Sequence, residues 1–358
     1  MKKSLRIALV YNSHAPGEAS PEDRASFQDL MEMLRDIVRT LRRLGHRPTL
    51  VPLGHDLLAF QRKLGRMKPD VVFNQYEDTM PGATYEMRIA ALVRMMGYPV
   101  TGSPALALGL TKSKYSCACL LAGAGISIPP DTRLLETVGA VERHSWNFPV
   151  IVRPSSEDGG VGLDRKSRAA TKTALKKKVS ELLKLEGQPV LVQRFLPGRE
   201  FNVAILGGAK PVVLPLAEVD FSALPAHIPP IMSYAAKWVE TSQEYKATTV
   251  ICPADVAPTL AAAIRDLALK AYNAVGAWGY CRVDMRTDAD DNPFILEVNC
   301  NPCIERGIGL ARCAERAGIE YPELIQKILK AAFELHRIDG ADLGGGHPPR
   351  PNGVRLEA

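Results

Sequence analysis

Two runs near the carboxyl end constrain this chain most: Arg282-Val-Asp284-Met285 and Phe294-Ile-Leu-Glu297-Val-Asn299, separated by Asp288-Ala-Asp-Asp-Asn292. In both, apolar residues alternate with polar ones, the period-two signature of half-buried strands, and the interruption has the composition of a turn. Paired as a hairpin, the strands set Asp284 against Glu297 and Arg282 against Asn299, with the turn centred on Asp290-Asp291. Side chains opposite one another across strands lie roughly 4.5–5.5 Å apart, so two carboxylates and an amide oxygen would converge where hard cations could be shared. Carboxylates that close repel one another unless a metal or a proton intervenes. An arginine beside them is awkward in a bare metal trap and useful where metal-bound phosphate is also held. A surface hairpin of solvated charges is the alternative these residues leave open.

With 358 residues the chain is too long for one small core, and two or three subdomains are expected. A hydrophobic share of 46% and a mean hydropathy of −0.06 describe a soluble globular protein. No run of about 18 uninterrupted apolar residues is present, and Met1-Lys-Lys leads into Ser4-Leu-Arg6 rather than a signal-peptide core, so no membrane span or export is indicated and the cytoplasm is the default. Seven cysteines, an odd number scattered through the chain, argue for free thiols. Cys300-Asn-Pro-Cys303 has redox or half-zinc spacing, but no second Cys or His pair answers it. The net charge of +6 concentrates in Lys166-Ser-Arg168 and Thr171–Lys178, where Leu175, Val179, Leu182 and Leu183 keep helical spacing. That reads as a solvated helix face; without interleaved aromatic residues it gives no support for nucleic-acid binding.

Along the chain, Leu5–Val10 reads as a strand. A helix then opens at Ser20-Pro21, buries Leu30, Met33, Leu34, Ile37, Val38, Leu41 and Leu44, and stops at Gly45. Short strands at Pro48–Pro52 and Asp70–Phe73 and a helix at Met87–Met96 complete a small parallel α/β unit over 1–103. No Gly-x-Gly-x-x-Gly follows the first strand, so a dinucleotide is not expected there. A central unit over 104–198 is expected to hold a helix at Lys112–Ala122, a strand at Phe148–Arg153, the loop Glu157–Gly162, the basic helix and a strand at Val190–Gln193. A third unit over 199–338 holds a strand at Phe201–Leu206, a Pro-rich stretch at Leu224–Tyr234, a helix at Pro258–Val275, the hairpin and a helix at Tyr321–Leu335. Residues 339–358 read as a disordered tail.

In this order the chain carries Pro149-Val-Ile-Val-Arg-Pro154, the glycine loop, Gly198-Arg-Glu200-Phe, Ala236-Lys237-Trp, Cys252-Pro-Ala and the Arg/Asp/Glu/Asn hairpin. With them it resembles the ATP-grasp ligases, most nearly the D-alanine:D-alanine ligase branch, between Val71 and Leu329. The resemblance implies an α/β (α+β) ATP-grasp fold, with an N-terminal Rossmann-like unit followed by two α+β subdomains that sandwich ATP. It places Ile151 and Leu296 against the adenine ring. Gln193 stands where the family has a Glu that accepts from the adenine amino group, and the backbone of Phe195 and Leu196 reads the adenine edge. Glu200 takes the ribose hydroxyls, and Lys112, Arg153 and Lys237 take the phosphates. Gly159 and Gly160 belong to the phosphate lid, where bare backbone N–H groups approach oxygen. Asp284, Glu297 and Asn299 match ligands for two Mg²⁺ ions, for which Mn²⁺ could substitute, and Arg282 matches the residue that stabilises the oxyanion.

What this implies is an ADP-forming ligase that makes an acyl phosphate from a carboxylate and passes the acyl group to an amine. The substrate side departs from the branch: Asn12–Glu18 replaces an acidic ammonium-binding stretch, Asn74-Gln-Tyr-Glu77 a Leu-His-Gly, and Ile308-Gly309 a carboxylate-binding Ser. A different amino acid or peptide substrate is therefore expected, with Glu305 and Arg306 as candidates for the new pocket and Pro229–Tyr234 as a lid. A D-alanine dipeptide ligase, a noncatalytic nucleotide-binding regulator and an interaction protein using the basic face stay open as alternatives. A homodimer through the first unit fits the resemblance.

Overall fold

The computed structural model describes residues 4–13, 21–54, 56–77, 84–185 and 187–342, without side chains at 21–26 and 339–342. Glu18 lies outside the described residues, as does the tail from 343 onward. The first unit comprises β1 (Arg6–Asn12), α1 (Pro21–Arg43), β2 (Arg47–Leu53), α2 (Leu57–Met67), β3 (Val71–Gln75) and α3 (Tyr85–Met95). Its three strands pair in parallel in the order β2-β1-β3. On one face Ala8, Val10 and Val72 pack against Phe60, Leu64, Ile89 and Val93; on the other Ile7, Leu9 and Phe73 pack against Leu34, Ile37 and Leu41. Helix α2 was not anticipated, because Leu57, Phe60 and Leu64 form too short a stripe to stand out. It is fixed by Asp56, whose side chain accepts from the Ala59 amide at 2.8 Å.

The expected helix at Lys112–Ala122 is α5 (Lys114–Gly123), and a further helix α4 (Ala105–Lys112) precedes it, the two broken at Ser113, whose hydroxyl caps the second. Both lie outside the core of the central unit: Ala107, Leu108, Cys117 and Leu121 share a core with the third unit's strands. The stripe predicted helices, but only the assembled sheet supplied their partner. The central unit's own core joins β4 (Arg133–Leu135), β5 (Val150–Pro154), β6 (Arg168–Ala169), α6 (Lys172–Leu185) and β7 (Val190–Arg194), with the strands antiparallel in the order β4-β7-β5-β6. Leu175, Val179 and Leu182 are fully buried beneath the basic face of α6.

The third unit contains β8 (Glu200–Gly207), β9 (Val212–Val213), β10 (Ala217–Asp220), α7 (Tyr234–Trp238), α8 (Gln243–Ala247), β11 (Thr249–Ile251), α9 (Pro258–Ala274), β12 (Gly279–Thr287), β13 (Pro293–Asn299), α10 (Gly309–Arg316) and α11 (Tyr321–Asp342). Helix α11 thus continues past the expected end at Leu335 and past the tail boundary at 339. The sheet order is β11-β10-β8-β12-β13, with β9 on β8. Period two divides its faces. Phe201, Val203, Ile205, Cys281, Val283 and Met285 point to α9, α4 and α5. Ala204, Leu206 and Tyr280 point to the α1, α10 and α11 side. Further along that second face stand Glu200, Asn202, Arg282, Asp284 and Arg286. One sheet face is therefore apolar at one end and polar at the other, and the polar end is the candidate site.

Candidate active site

Strands β12 and β13 pair Arg282 with Asn299 and Asp284 with Glu297, as the alternation requires. The register shifts between Asp284 and Met285, so that Met285 faces Ile295 and Leu296 is left without a partner in the ladder. The Leu296 carbonyl accepts instead from Nη2 of Arg153 at 2.7 Å, which ties the four-stranded sheet to the hairpin.

Arg282 grips Asp284 with two hydrogen bonds, Nε to Oδ1 at 2.7 Å and Nη2 to Oδ2 at 2.8 Å, and Asn202 on β8 donates to Oδ1 at 2.9 Å. Burial pushes the Asp284 carboxyl up, but the charge and hydrogen bonds of Arg282 outweigh it and keep the group ionised. Glu297 faces Lys114 Nζ at 3.5 Å and Arg153 Nη1 at 3.9 Å. Lys237, at the end of α7, is pushed below the usual lysine range by burial and by the neighbouring Arg282, against the charges of Asp284, Glu297 and Glu200. Asn299 accepts through Oδ1 from the Asn301 amide at 2.9 Å. Asn301 in turn accepts from Tyr280 Oη at 2.8 Å, and Tyr280 accepts from Gln75 Nε2 at 3.2 Å, so the end of β3 is linked to the hairpin.

Two carboxylates and an amide oxygen on paired strands are a hard, oxygen-only donor set that suits Mg²⁺, and a carbonyl oxygen engaged in one hydrogen bond keeps a second lone pair. Among the described residues no group of three His, Cys, Asp or Glu could form a metal site by itself. A cation here would therefore need the amide and phosphate oxygens to complete its shell.

The cations expected to hold phosphate lie close to one another, and Lys114, which was not among them, joins them. Lys112 ends α4 with Nζ 3.0 Å from Asp158 Oδ2. The side chain that reaches the hairpin is Lys114, two residues on. Its residue is 5% exposed, and Nζ donates to Asp158 Oδ1 at 2.9 Å and to the Glu157 carbonyl at 2.5 Å. The helix break at Ser113, unseen in the sequence reading, selects it. Arg153 also donates to Gln193 Oε1 at 2.9 Å, while Gln193 Nε2 donates to Thr132 at 3.0 Å, so the Gln193 oxygen expected to face a base is engaged by the arginine. The Phe195 amide donates to the Pro149 carbonyl, and the Phe195 ring carries the guanidinium of Arg168 on one count and of Arg286 on another, at 5.0 and 4.8 Å. Leu196 is buried beside it, and Ile151 pairs with Gln193 across β5 and β7.

Glu200 is paired with Arg286, whose Nη1 lies 2.9 Å from Oε2 and 2.6 Å from the Pro230 carbonyl. Arg286, like Asn202, was missed, although both continue the period-two pattern that singled out Arg282 and Asp284. The glycine loop sits on the segment before Lys237. Gly159, Gly160 and Gly162 all have positive φ, and a Cβ at Gly160 would stand 3.0 Å from backbone atoms of Ser233 and Tyr234. Trp238 Nε1 donates to the Gly159 carbonyl at 2.8 Å, and Arg165 holds Glu244 through two hydrogen bonds of 2.5 and 3.0 Å. The end of the stretch Leu224–Tyr234 therefore lies against the glycine loop.

Glu305 and Arg306 do not join the hairpin. The Arg306 guanidinium stacks over Tyr321 at 4.3 Å, and burial with Asp29, Glu32 and Asp36 pushes the Glu305 carboxyl up, so their neighbours are on α1 and α11. The seven cysteines are free thiols; Cys303 Sγ lies 3.8 Å from Met33 Sδ. No described helix is long and apolar enough to cross a membrane.

This architecture has known counterparts. A family model described as the D-ala D-ala ligase C-terminus matches residues 129–330. The uncharacterized protein y4sG of Sinorhizobium fredii is 31% identical over 349 residues, covering 94% of this chain and 99% of its own. The D-alanine–D-alanine ligase of Pseudoalteromonas translucida is 30% identical over 244 residues, 68% of this chain and 74% of that protein. The fold is also that of the D-alanine–D-alanine ligase from Bacillus anthracis crystallised with ATP, with a TM-score of 0.69 at 19% identity over 94% of this chain and 100% of that one. The ligase from Coxiella burnetii gives a TM-score of 0.70 at 17% identity, over 96% and 97%. The chain accordingly belongs to the D-alanine–D-alanine ligase family, the ATP-dependent carboxylate–amine ligases of the ATP-grasp fold.

Proposed function

We propose that this protein is an ADP-forming ligase that joins an amino acid or short-peptide carboxylate to an amine, with a substrate pair other than two D-alanines. The observation that carries the reaction class is the register of β12 and β13, which sets Arg282, Asp284, Glu297 and Asn299 on one face, within reach of Lys114, Arg153 and Lys237. Positive charge at such a face suits triphosphate, and fixed carboxylates suit its cation.

In the first step a substrate carboxylate oxygen attacks the γ-phosphorus, the bond to the β-phosphate oxygen breaks and ADP leaves. Lys114, Arg153 and Lys237 hold the phosphates in line. Divalent cations at Asp284, Glu297 and Asn299 would supply charge neutralisation to the transferring group. In the second step the amine nitrogen attacks the acyl carbon, inorganic phosphate departs and the amine proton is released. Arg282, clamped by Asp284, presents a fixed guanidinium to the developing oxyanion. The lid over Gly159 and Gly160, backed by Trp238, keeps water from the acyl phosphate.

A changed acceptor is supported by Ile308, whose side chain offers no hydrogen bond to a carboxylate. The relatives named as D-alanine–D-alanine ligases favour the second reading, D-alanine on both sides. One experiment tests both: ADP release with Mg²⁺-ATP across D- and L-amino acids, dipeptides and amines, singly and in pairs, with mass spectrometry of the products. Release that requires a pair establishes the ligase and names its substrates. Release with D-alanine alone establishes the second reading, and no ATP-dependent change in any arm sinks both.

A further inference from the structure

Asp158 is the residue of the glycine loop whose side chain points into the cluster of cations. Its two carboxylate oxygens are divided between two ammonium groups, Oδ2 at 3.0 Å from Lys112 and Oδ1 at 2.9 Å from Lys114. Lys114 has three N–H groups, and its neighbours are Asp158, the Glu157 carbonyl at 2.5 Å and Glu297 at 3.5 Å. Two of its donors are thereby used within the protein, and its charge also faces Glu297. Burial pushes the Asp158 carboxyl up, but Lys114 and Lys112 outweigh it and hold the group well below the usual carboxylate range, so it is an anion at neutral pH.

A carboxylate that bridges two ammonium groups makes the contacts that a phosphate oxygen pair would make. We propose that Asp158 is an internal competitor for Lys114, the buried lysine assigned above to the nucleotide's phosphates, and that it sets the enzyme's affinity for ATP. The inference rests on the nucleotide reading of this site given above.

The geometry allows the competition. Lys114 is nearly inaccessible, with 3% of its side chain exposed, and cannot turn to water; Asp158 has 48% of its side chain exposed and can. The residues that follow it, Gly159 and Gly160, hold positive φ values of 65° and 81°, a region glycine enters and leaves freely. Phosphate reaching Lys114 would meet a fixed negative charge at hydrogen-bonding distance from the same nitrogen, so either the carboxylate swings outward or the phosphate binds weakly. Apparent affinity is then the intrinsic affinity multiplied by the fraction of molecules in which Asp158 has withdrawn. A structural ion pair would predict the reverse, since losing it would loosen the lid and weaken binding.

The test is calorimetric titration of wild type and Asp158→Asn with ATP, AMP and adenosine, alongside the melting temperature of each protein. The asparagine keeps the shape and one acceptor while removing the charge. The expected result is that Asp158→Asn binds ATP about tenfold more tightly, with any gain for AMP smaller and adenosine within about twofold of wild type, because adenosine brings no phosphate to Lys114. ATP binding that is unchanged or weaker in the variant, with wild type binding ATP, overturns the inference and leaves the nucleotide reading standing. An equal gain for ATP and adenosine also overturns it, since the effect would then lie in the base pocket or the lid. If neither protein binds ATP, the nucleotide reading falls and the inference with it. Asp158→Ser, which shortens the side chain, must reproduce the direction of the effect.

Discussion

The hairpin β12–β13 and the loop that follows it, 300–308, are contiguous in sequence and opposite in character. On the hairpin, polar side chains are placed by the strand ladder: Asp284 is gripped by Arg282 and Asn202, and Glu297 faces two cations. In the loop they are placed by whatever packs against it: Arg306 lies on Tyr321, and Glu305 lies near the acidic side chains of α1. Where backbone pairing sets direction, a two-residue spacing suffices to place a functional group. Where no ladder exists, the chain must first assemble.

The contrast can be broken most severely at Glu297. Glu297→Gln removes a charge opposed by Lys114 and Arg153 and weakens any metal-held phosphate; ADP release should fall by roughly 10³-fold or more, with the fold retained by circular dichroism. Unchanged release would remove the hairpin from the chemistry. Arg282→Ala should lower the rate by about 10²–10³-fold while nucleotide still raises the melting temperature, the usual consequence of losing one oxyanion donor. Equal activity would take Arg282 out of the mechanism.

A finer cut separates the two lysines. Lys114→Ala strips Glu297 and Asp158 of a buried partner, whereas Lys112→Ala leaves the Lys114–Glu297 contact in place; KM for ATP should rise at least about tenfold more in Lys114→Ala than in Lys112→Ala. The reverse order would restore Lys112 as the principal phosphate ligand.

Lys237 offers a pH test. In the proposed role it holds phosphate only as the ammonium, and burial with Arg282 lowers its pKa, so ATP affinity should fall on the alkaline side below the range of an ordinary lysine. Lys237→Arg should move that limb to higher pH. A wild-type profile flat through this range would show that Lys237 does not contact the nucleotide.

The smallest effect is expected in the loop. Arg306→Ala loses a stacked guanidinium worth about 0.5–1 kcal/mol, read as a small drop in melting temperature, and should leave the KM of both substrates nearly unchanged. A large rise in either KM would make the loop a substrate wall and erase the comparison with the hairpin.

Much of the site was legible because it is local. Alternation in two runs placed Arg282, Asp284, Glu297 and Asn299 correctly against one another, and the same alternation, extended by one step to Arg286 and across to Asn202, would have found two more polar side chains of that face. What failed depended on partners distant in sequence. Lys112 and Lys114 are chemically identical in the sequence; the cap at Ser113 and the packing of α5 decide which is buried. Helices α4 and α5 belong to a core built by strands about a hundred residues further on, so the boundary drawn at a turn cluster was not the boundary of a core.

By itself, then, the sequence determined the strand pairing that carries the site, the buried stripes of the long helices and the glycines that the lid requires. Each follows from local sterics or a fixed period. Only the tertiary structure decided that Arg153 bridges two sheets, that Asp158 occupies the two lysines and that Glu305 and Arg306 turn to α1 and α11. Side-chain direction outside a ladder is set by charges and surfaces brought together from distant parts of the chain, and no local pattern encodes which of them will meet.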